Sequence, residues 1–392
     1  HPLSRRQRQM CIRDRIKDIP FYGMVNDNVG YLRITNFSVN TANETKDALI
    51  SLMQNGASNV IIDLRDNPGG LLSSSLDLLD LILPKNLELV STKGRAGKSI
   101  KNYKTLNNAL IPDTINMAVL INGASASASE IVAGVLQDYD RAIVLGSQSF
   151  GKGLVQTVIG INQETALKIT NSKYYIPSGR SLQKREFIDD ELIANSSVVA
   201  DTLFQTKAGR TVIGGGGIGP DVIVKDEGSY PLAASILRSR GYFKFVQENN
   251  NQYSSIDEVL ADEELMVKFK AFIEKNDISG YVDGQEDLKL AKEKLSKKEE
   301  KNLFINNAFS VIEKQIEKTQ STMFEDEKEI IQRMVHGEFA FYYNGYEGRY
   351  NIYLKDDTVV QKAIEIFADE SQYLSILSCL LYTSPSPRDG DE

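Results

Sequence analysis

Three short apolar runs constrain this chain most: "NVIIDL" (59–64), "NMAVLING" (116–123) and "AIVLG" (142–146). Each reads as a strand buried on both faces, and the first two run straight into Gly-, Ser- or Pro-rich turns. Stretches of helical period lie between them. "TANETKDALISLMQNG" (41–56) puts Ala48, Leu49, Leu52 and Met53 on one stripe and closes on Gly56, a C-cap residue. "LLSSSLDLLDLIL" (71–83) and "SEIVAGVLQDYD" (129–140) read as two further helices. "VGYLRITNF" (29–37) alternates, with Leu32 and Ile34 on one face, and "LVQTVIGI" (154–161) and "ALKITNSKYYI" (166–176) are β-branched, alternating runs. This order predicts an α/β core with a mixed sheet over residues 16–225.

After "GGGGIGPDVIV" (214–224) the composition shifts to Glu, Lys, Leu and Ile at helical spacing, as in 256–275 and 288–316. Residues 226–373 are therefore expected to form a charged helical C-terminal domain, its charge runs being solvated faces. A net charge of -8 argues against a nucleic-acid partner. No apolar run reaches the roughly 18 residues of a membrane span. Both ends read as foreign: "RRQRQMCIRDR" (5–15) and "CLLYTSPSPRD" (379–389) resemble translations of the transposase adapters used in shotgun DNA libraries. Residues 1–15 and 374–392 are set aside on that ground as sequencing-adapter artefacts. The two cysteines, Cys11 and Cys379, fall inside them, so neither a disulfide framework nor thiolate chemistry is expected.

"GSQSFGKG" (146–153) fits G-x-x-x-x-G-K, yet Gly153 stands where a phosphate loop needs Ser or Thr. A phosphate loop also opens a helix, whereas "GLVQTVIGI" favours a strand. Nucleotide binding is set aside for these two reasons. There are two histidines, His1 and His336, neither in the α/β core, so a Ser-His-Asp triad has no base there. No metal site or cofactor is expected either, since no Cys/His cluster exists. Any nucleophile in this core must be served by Lys or a carboxylate. "NGASASASEIVAGVLQD" (122–138) supplies candidates: a strand ends at Ile121, small residues turn, and a helix begins near Ser129. A serine there sits by helix N–H groups able to stabilise an oxyanion. The plainer reading is that these serines cap the helix, a role suited to Ser129 with Glu130.

"ASASASEIVAGVLQDYDRAIVLGSQSFGKGLVQ" closely resembles the serine/lysine core of the carboxy-terminal processing peptidases, or tail-specific proteases. The resemblance extends over about 20–225, including "DLRDNPGG" (63–70), "KYYIPSGRSLQ" (173–183) and "GGGGIGPD" (214–221). It implies a crotonase-like (ββα) serine/lysine protease core with a mixed sheet, followed by a helical tail like that of Bacteroidetes-type members. It also implies that Ser127 is the nucleophile, that Lys152, 25 residues on, is the general base, and that Gln156 orients the lysine. An N–H from Gly69 or Gly70 would join that of Ala128 as the oxyanion hole. A lysine of ordinary pKa, about 10.4, is protonated near pH 7, so a base must be desolvated or placed in positive potential. Phe150, Leu154 and Val155 are expected to exclude water from it.

The implied partners are polypeptide substrates with C-terminal tails; an adaptor or activator protein and a homo-oligomer are compatible with the family. The implied location is the bacterial periplasm or cell envelope. Family members usually carry a PDZ domain before the strand at 29–37, and its absence here leads to the expectation of a truncated chain. The competing reading is an inert homologue or a ligand- or peptide-binding module of the same fold.

Overall fold

The computed structural model describes residues 17–94, 99–162, 164–184, 186–188, 191–193, 202–224, 228, 230–296 and 303–378. Cys11, Cys379, His1 and both adapter-like stretches, 5–15 and 379–389, lie outside them. The chain divides into one unit of 1–226 with 358–392 and a second of 227–357.

In the first unit the elements follow as β1 (Phe21–Met24), β2 (Val29–Arg33), α1 (Thr41–Gln54), β3 (Asn59–Asp63), α2 (Leu72–Ile82), β4 (Glu88–Gly94), β5 (Ser99–Lys104), β6 (Asn116–Ile121), α3 (Ala128–Asp138), β7 (Ile143–Gly146), β8 (Leu154–Gly160) and β9 (Ala166–Tyr175). Two small antiparallel pairs come next, β10 (Glu186–Ile188) with β11 (Glu191–Ile193) and β12 (Leu203–Gln205) with β13 (Thr211–Ile213). β14 (Val222–Ile223) then returns to the main sheet. That six-stranded sheet runs β1-β2-β3-β6-β7-β14, antiparallel at β1–β2 and parallel elsewhere. A second, antiparallel sheet runs β5-β4-β9-β8.

Register explains why the three apolar runs are continuous. Ile62, Val119 and Val144 align on one face and join a buried cluster with Leu49, Leu78 and Val132 of α1–α3. Ile61, Ala118 and Ile143 align on the other, equally buried but outside that cluster. Two C-terminal helices, α11 (Thr358–Ala368) and α12 (Glu370–Leu377), pack against the sheet: α11 meets β3, β6 and β7, and α12 meets β7. A parallel sheet covered on both faces needs apolar residues at every position.

The expected helical domain of 226–373 therefore divides. Residues 231–355 carry α4 (Pro231–Arg238), α5 (Gly241–Asn249), α6 (Ile256–Leu260), α7 (Leu265–Lys275), α8 (Gln285–Ser296), α9 (Leu303–Asp326) and α10 (Lys328–Lys355). They build their own core around Phe245, Phe269 and Phe339. Residues 358–377 instead belong with the α/β core. The composition that α11 and α12 share with the helical unit hid this. Residues 374–377, set aside with the C-terminal end, form the last turn of α12.

Tyr373 ties α12 to the sheet. Its hydroxyl accepts the Met117 N–H at 2.9 Å and donates to the Met117 carbonyl at 3.1 Å. Tyr373→Phe leaves a buried N–H without an acceptor and should cost about 1–3 kcal/mol in urea unfolding. An unchanged midpoint would show that this contact does not hold the helix down.

Candidate active site

The turn before α3 is held by buried acceptors. Ser127, the N-cap residue, has φ 56° and ψ -110°, a left-handed conformation rarely held by a residue with a Cβ. Such a residue costs on the order of 1–3 kcal/mol and persists only where its surroundings fix it. Here its N–H donates to Glu130 Oε2 at 2.8 Å. On either side, Ala126 N–H and the Ser129 hydroxyl both donate to the Asn67 carbonyl, at 3.0 and 2.9 Å.

Glu130 does more than cap its helix. Fully buried, it also accepts the Ser149 hydroxyl (2.6 Å) and Gly151 N–H (2.7 Å) on Oε1, and Lys152 N–H (2.8 Å) on Oε2. The backbone nitrogens of Ser127 and Lys152 thus share one oxygen and lie within twice 2.8 Å of each other. Burial raises the Glu130 carboxyl above its ordinary 4.5, against the pull of these four donors. On the far side of the lysine turn, Gly151 has φ 87°, and a Cβ there would come 2.5 Å from the Lys184 Cβ. Gly153 N–H donates to Gln183 Oε1 at 2.9 Å.

The three serines differ in what their hydroxyls do. Ser125 donates to the Leu64 carbonyl (2.8 Å) and accepts the Asn122 N–H (2.9 Å); Ser129 is bound to Asn67. Both are buried, whereas Ser127 is half-buried. Among the described residues, no side-chain hydrogen bond joins Ser127, Lys152 or Gln156 to one another. Lys152 is half-buried and Gln156 exposed on β8. Phe150, expected to shield the lysine, is 57% exposed; its N–H is drawn to the Ser125 carbonyl at 3.0 Å. Leu154 and Val155 are half-buried, and Val155 packs on the main core. A strand follows the lysine turn, which is inconsistent with a phosphate loop.

Across from Ser127 lies "RDNPGG". Gly69 has φ 98°, and a Cβ there would lie 2.9 Å from the Ser127 Cβ and 3.0 Å from the Ala128 nitrogen, so only glycine fits. Its N–H is spent on Asn67 Oδ1 at 2.9 Å. The N–H groups of exposed Gly70 and of Ala128, first in α3, have no acceptor among the described residues. Asp63 anchors this loop at the end of β3. Fully buried, it accepts the Tyr31 hydroxyl (2.8 Å), Arg33 (2.8 Å) and Arg65 (2.6 Å). Burial alone would raise its carboxyl, but the two guanidinium groups outweigh burial and hold it well below 3.8. Among the described residues, no group of three or more His, Cys, Asp or Glu is placed to hold a metal ion.

Residues 28–193 match Peptidase family S41, and residues 232–367 match a probable PDZ-protease, C-terminal helical domain. Residues 28–193, which hold both the serine and the lysine turn, thus carry the pattern of peptidase family S41. It is 42% identical over 176 residues to a carboxy-terminal-processing protease of Bartonella bacilliformis, which covers 44% of this chain and 40% of the relative. It is 39% identical over 166 residues to a carboxyl-terminal-processing protease of Synechocystis sp., covering 42% and 38%. A solved photosystem II D1 C-terminal processing protease is 26% identical over 51% of this chain and 43% of its own, with a TM-score of 0.40. The chain thus spans about two fifths of the length of these curated relatives. The resemblance to carboxy-terminal processing peptidases read from the sequence is borne out.

Sequence reading missed four residues that hold the serine and lysine turns in shape: Asp63, Asn67, Ser149 and Gln183. All four lie inside quoted motifs, so the clue was there, but most of their partners are distant in sequence.

Two outcomes follow for the buried carboxyl groups. In Glu130→Gln the amide nitrogen would face donors it cannot accept, so unfolding free energy should fall on the order of 2–4 kcal/mol. A smaller loss would mean that water replaces the carboxylate. Asp63 has a folded pKa below its unfolded one, so its stabilisation is complete above about pH 3.8 and is lost as pH falls below that value. Asp63→Asn should lose on the order of 3–5 kcal/mol at pH 7 and should show a flatter acid limb in urea unfolding. An acid limb identical to that of the wild type would contradict the Arg33–Asp63–Arg65 account.

Proposed function

We propose that this chain is the proteolytic part of a serine endopeptidase that cleaves polypeptides near their C-termini. Ser127 is the nucleophile, Lys152 the general base and Gln156 the residue that orients the lysine. The observation that carries the reading is the single Glu130 oxygen bonded to the backbone of both Ser127 and Lys152. It sets a strained, half-buried serine beside a half-buried lysine; that serine's oxygen accepts the Glu130 N–H in the helix cap, yet among the described residues it alone of the three donates its hydroxyl proton to no carbonyl.

The Ser127 oxygen attacks the peptide carbonyl while the Lys152 amine takes its proton. The tetrahedral oxyanion lies between the N–H groups of Ala128 and Gly70, Gly70 being preferred because Asn67 already holds the Gly69 N–H. Collapse breaks the C–N bond, and the lysine returns the proton to the leaving amine. Water, deprotonated by the same lysine, then cleaves the acyl ester. On this reading the enzyme works in the bacterial periplasm or cell envelope, a location that the family resemblance supports. No helix among the described residues is long and apolar enough to cross a membrane.

Cleavage of an unstructured peptide, followed by chromatography, tests the assignment. Ser127→Ala and Lys152→Met should each lower kcat by at least about 1,000-fold. Ser125→Ala and Ser129→Ala should keep activity while losing about 1 kcal/mol of stability each. A Ser125→Ala protein as inactive as Ser127→Ala, yet folded, would put the nucleophile at the wrong serine.

A further inference from the structure

The antiparallel sheet ends on β8, which starts two residues after Lys152 and pairs only with β9. From Gln156 opposite Thr170 to Gly160 opposite Ala166 the register is regular. Ile161 N–H donates to the Thr165 carbonyl at 2.9 Å. By antiparallel alternation, Thr157 and Ile159 also direct their backbone groups at β9, and those of Gln156, Val158 and Gly160 point away. A row of backbone groups about 14 Å long, unpaired among the described residues, therefore leads out of the lysine turn.

One face of this hairpin is apolar. Directly opposite residues, and residues two apart, share a face, which gathers Thr157, Ile159, Ile161, Leu167 and Ile169. Ile159, Ile161, Leu167 and Ile169 are 50%, 63%, 47% and 40% exposed. Edge strands are ordinarily protected by charge, proline or a bulge. β8 has no charged residue and no proline, and its bulge, at Val155/Gln156, precedes the open stretch.

We propose that β8 is the docking edge for the substrate. An extended polypeptide adds as a further strand along Gln156–Gly160, with alternate apolar side chains resting against Ile159, whose cross-strand partner Leu167 continues the apolar face behind it. Main-chain bonding makes the edge tolerant of sequence, while the apolar face selects for hydrophobic residues at every second position. The proposal rests on the peptidase reading of Ser127 and Lys152, which supplies a polypeptide ligand. The start of the edge beside Lys152 favours the chain being cut over a second copy of this protein.

The test uses the full chain carrying Ser127→Ala, so that binding is read without cleavage. The probe is a fluorescein-labelled decapeptide alternating Val and Thr, with versions N-methylated at odd or at even positions. In anisotropy titrations one methylated series should bind about tenfold more weakly, the equivalent of a lost hydrogen bond, and the other should match the parent. Gly160→Pro removes an outward N–H where an added Cβ has no atom within 4 Å, and it should weaken binding similarly. Ile159→Thr with Leu167→Thr keeps strand-forming residues and should also weaken binding, whether or not the proline variant folds. Amide exchange at Val158 and Gly160 should slow when peptide is added. Equal binding of all three peptides, unchanged exchange, or no binding at all overturns the proposal. So does a sedimentation mass that the variants reduce, which would assign the edge to a second copy. Failure of the peptidase reading shows separately, as wild-type Ser127 left unlabelled by a small fluorophosphonate that needs no docking edge.

Discussion

The Glu130 carboxylate is the point on which the site depends. It lies one turn into α3, out of water, and collects N–H or O–H donors from the serine turn, from Ser149 and from the lysine turn. An isolated carboxylate in such a place is costly, and a complete set of donors offsets the cost. Removing any donor segment leaves an anion short of a partner. The serine and lysine turns, more than twenty residues apart in sequence, are thereby made a single rigid object. The positive φ of Ser127 is held within this frame, its N–H bonded to the carboxylate of its own helix and its neighbours to Asn67.

The same division of labour recurs around the turn. Asn67 uses its carbonyl, its Oδ1 and its Nδ2 on Ala126, Ser129, Gly69 and Ile34. Asp63 gathers Tyr31, Arg33 and Arg65 beneath the loop. Backbone groups and neighbouring side chains carry the positioning, so among the described residues the Ser127 hydroxyl proton and the Lys152 amine are given to no structural acceptor. A reactive group engaged in holding the fold would have to break that bond before it could act. Ser125 and Ser129 donate their protons to carbonyls, which is why Ser127 is the serine proposed as nucleophile.

Much of this was legible before any coordinates. The buried strands 59–63, 116–121 and 143–146 and helices α1–α3 follow from period and capping alone. The family and its two signatures follow from the quoted motifs. What stayed hidden depended on distant partners. β4 and β5 were not foreseen, because "ELVSTKG" and "SIKNYK" are polar strands whose pairing is decided by β9. Glu130 was read as a cap because its other donors come from about twenty residues downstream. The choice between Gly69 and Gly70 needed the Asn67 side chain, whose direction no spacing rule supplies.

The two C-terminal helices bear on how the serine turn is supported. β6 carries Ile121 at its end, and the serine turn hangs from that end. One face of β6 rests on α1–α3 and the other meets α11, while Tyr373 closes both backbone groups of Met117 at its start. Val360, Ala363 and Ile366 of α11 are fully buried, and side chains of that size contribute up to about 3 kcal/mol each. A parallel strand left bare on one face would expose Ala118 and Leu120 to water. Residues 358–377 thus complete the cover of the strand that leads into the serine turn. The stability of the α/β core therefore depends on that C-terminal segment.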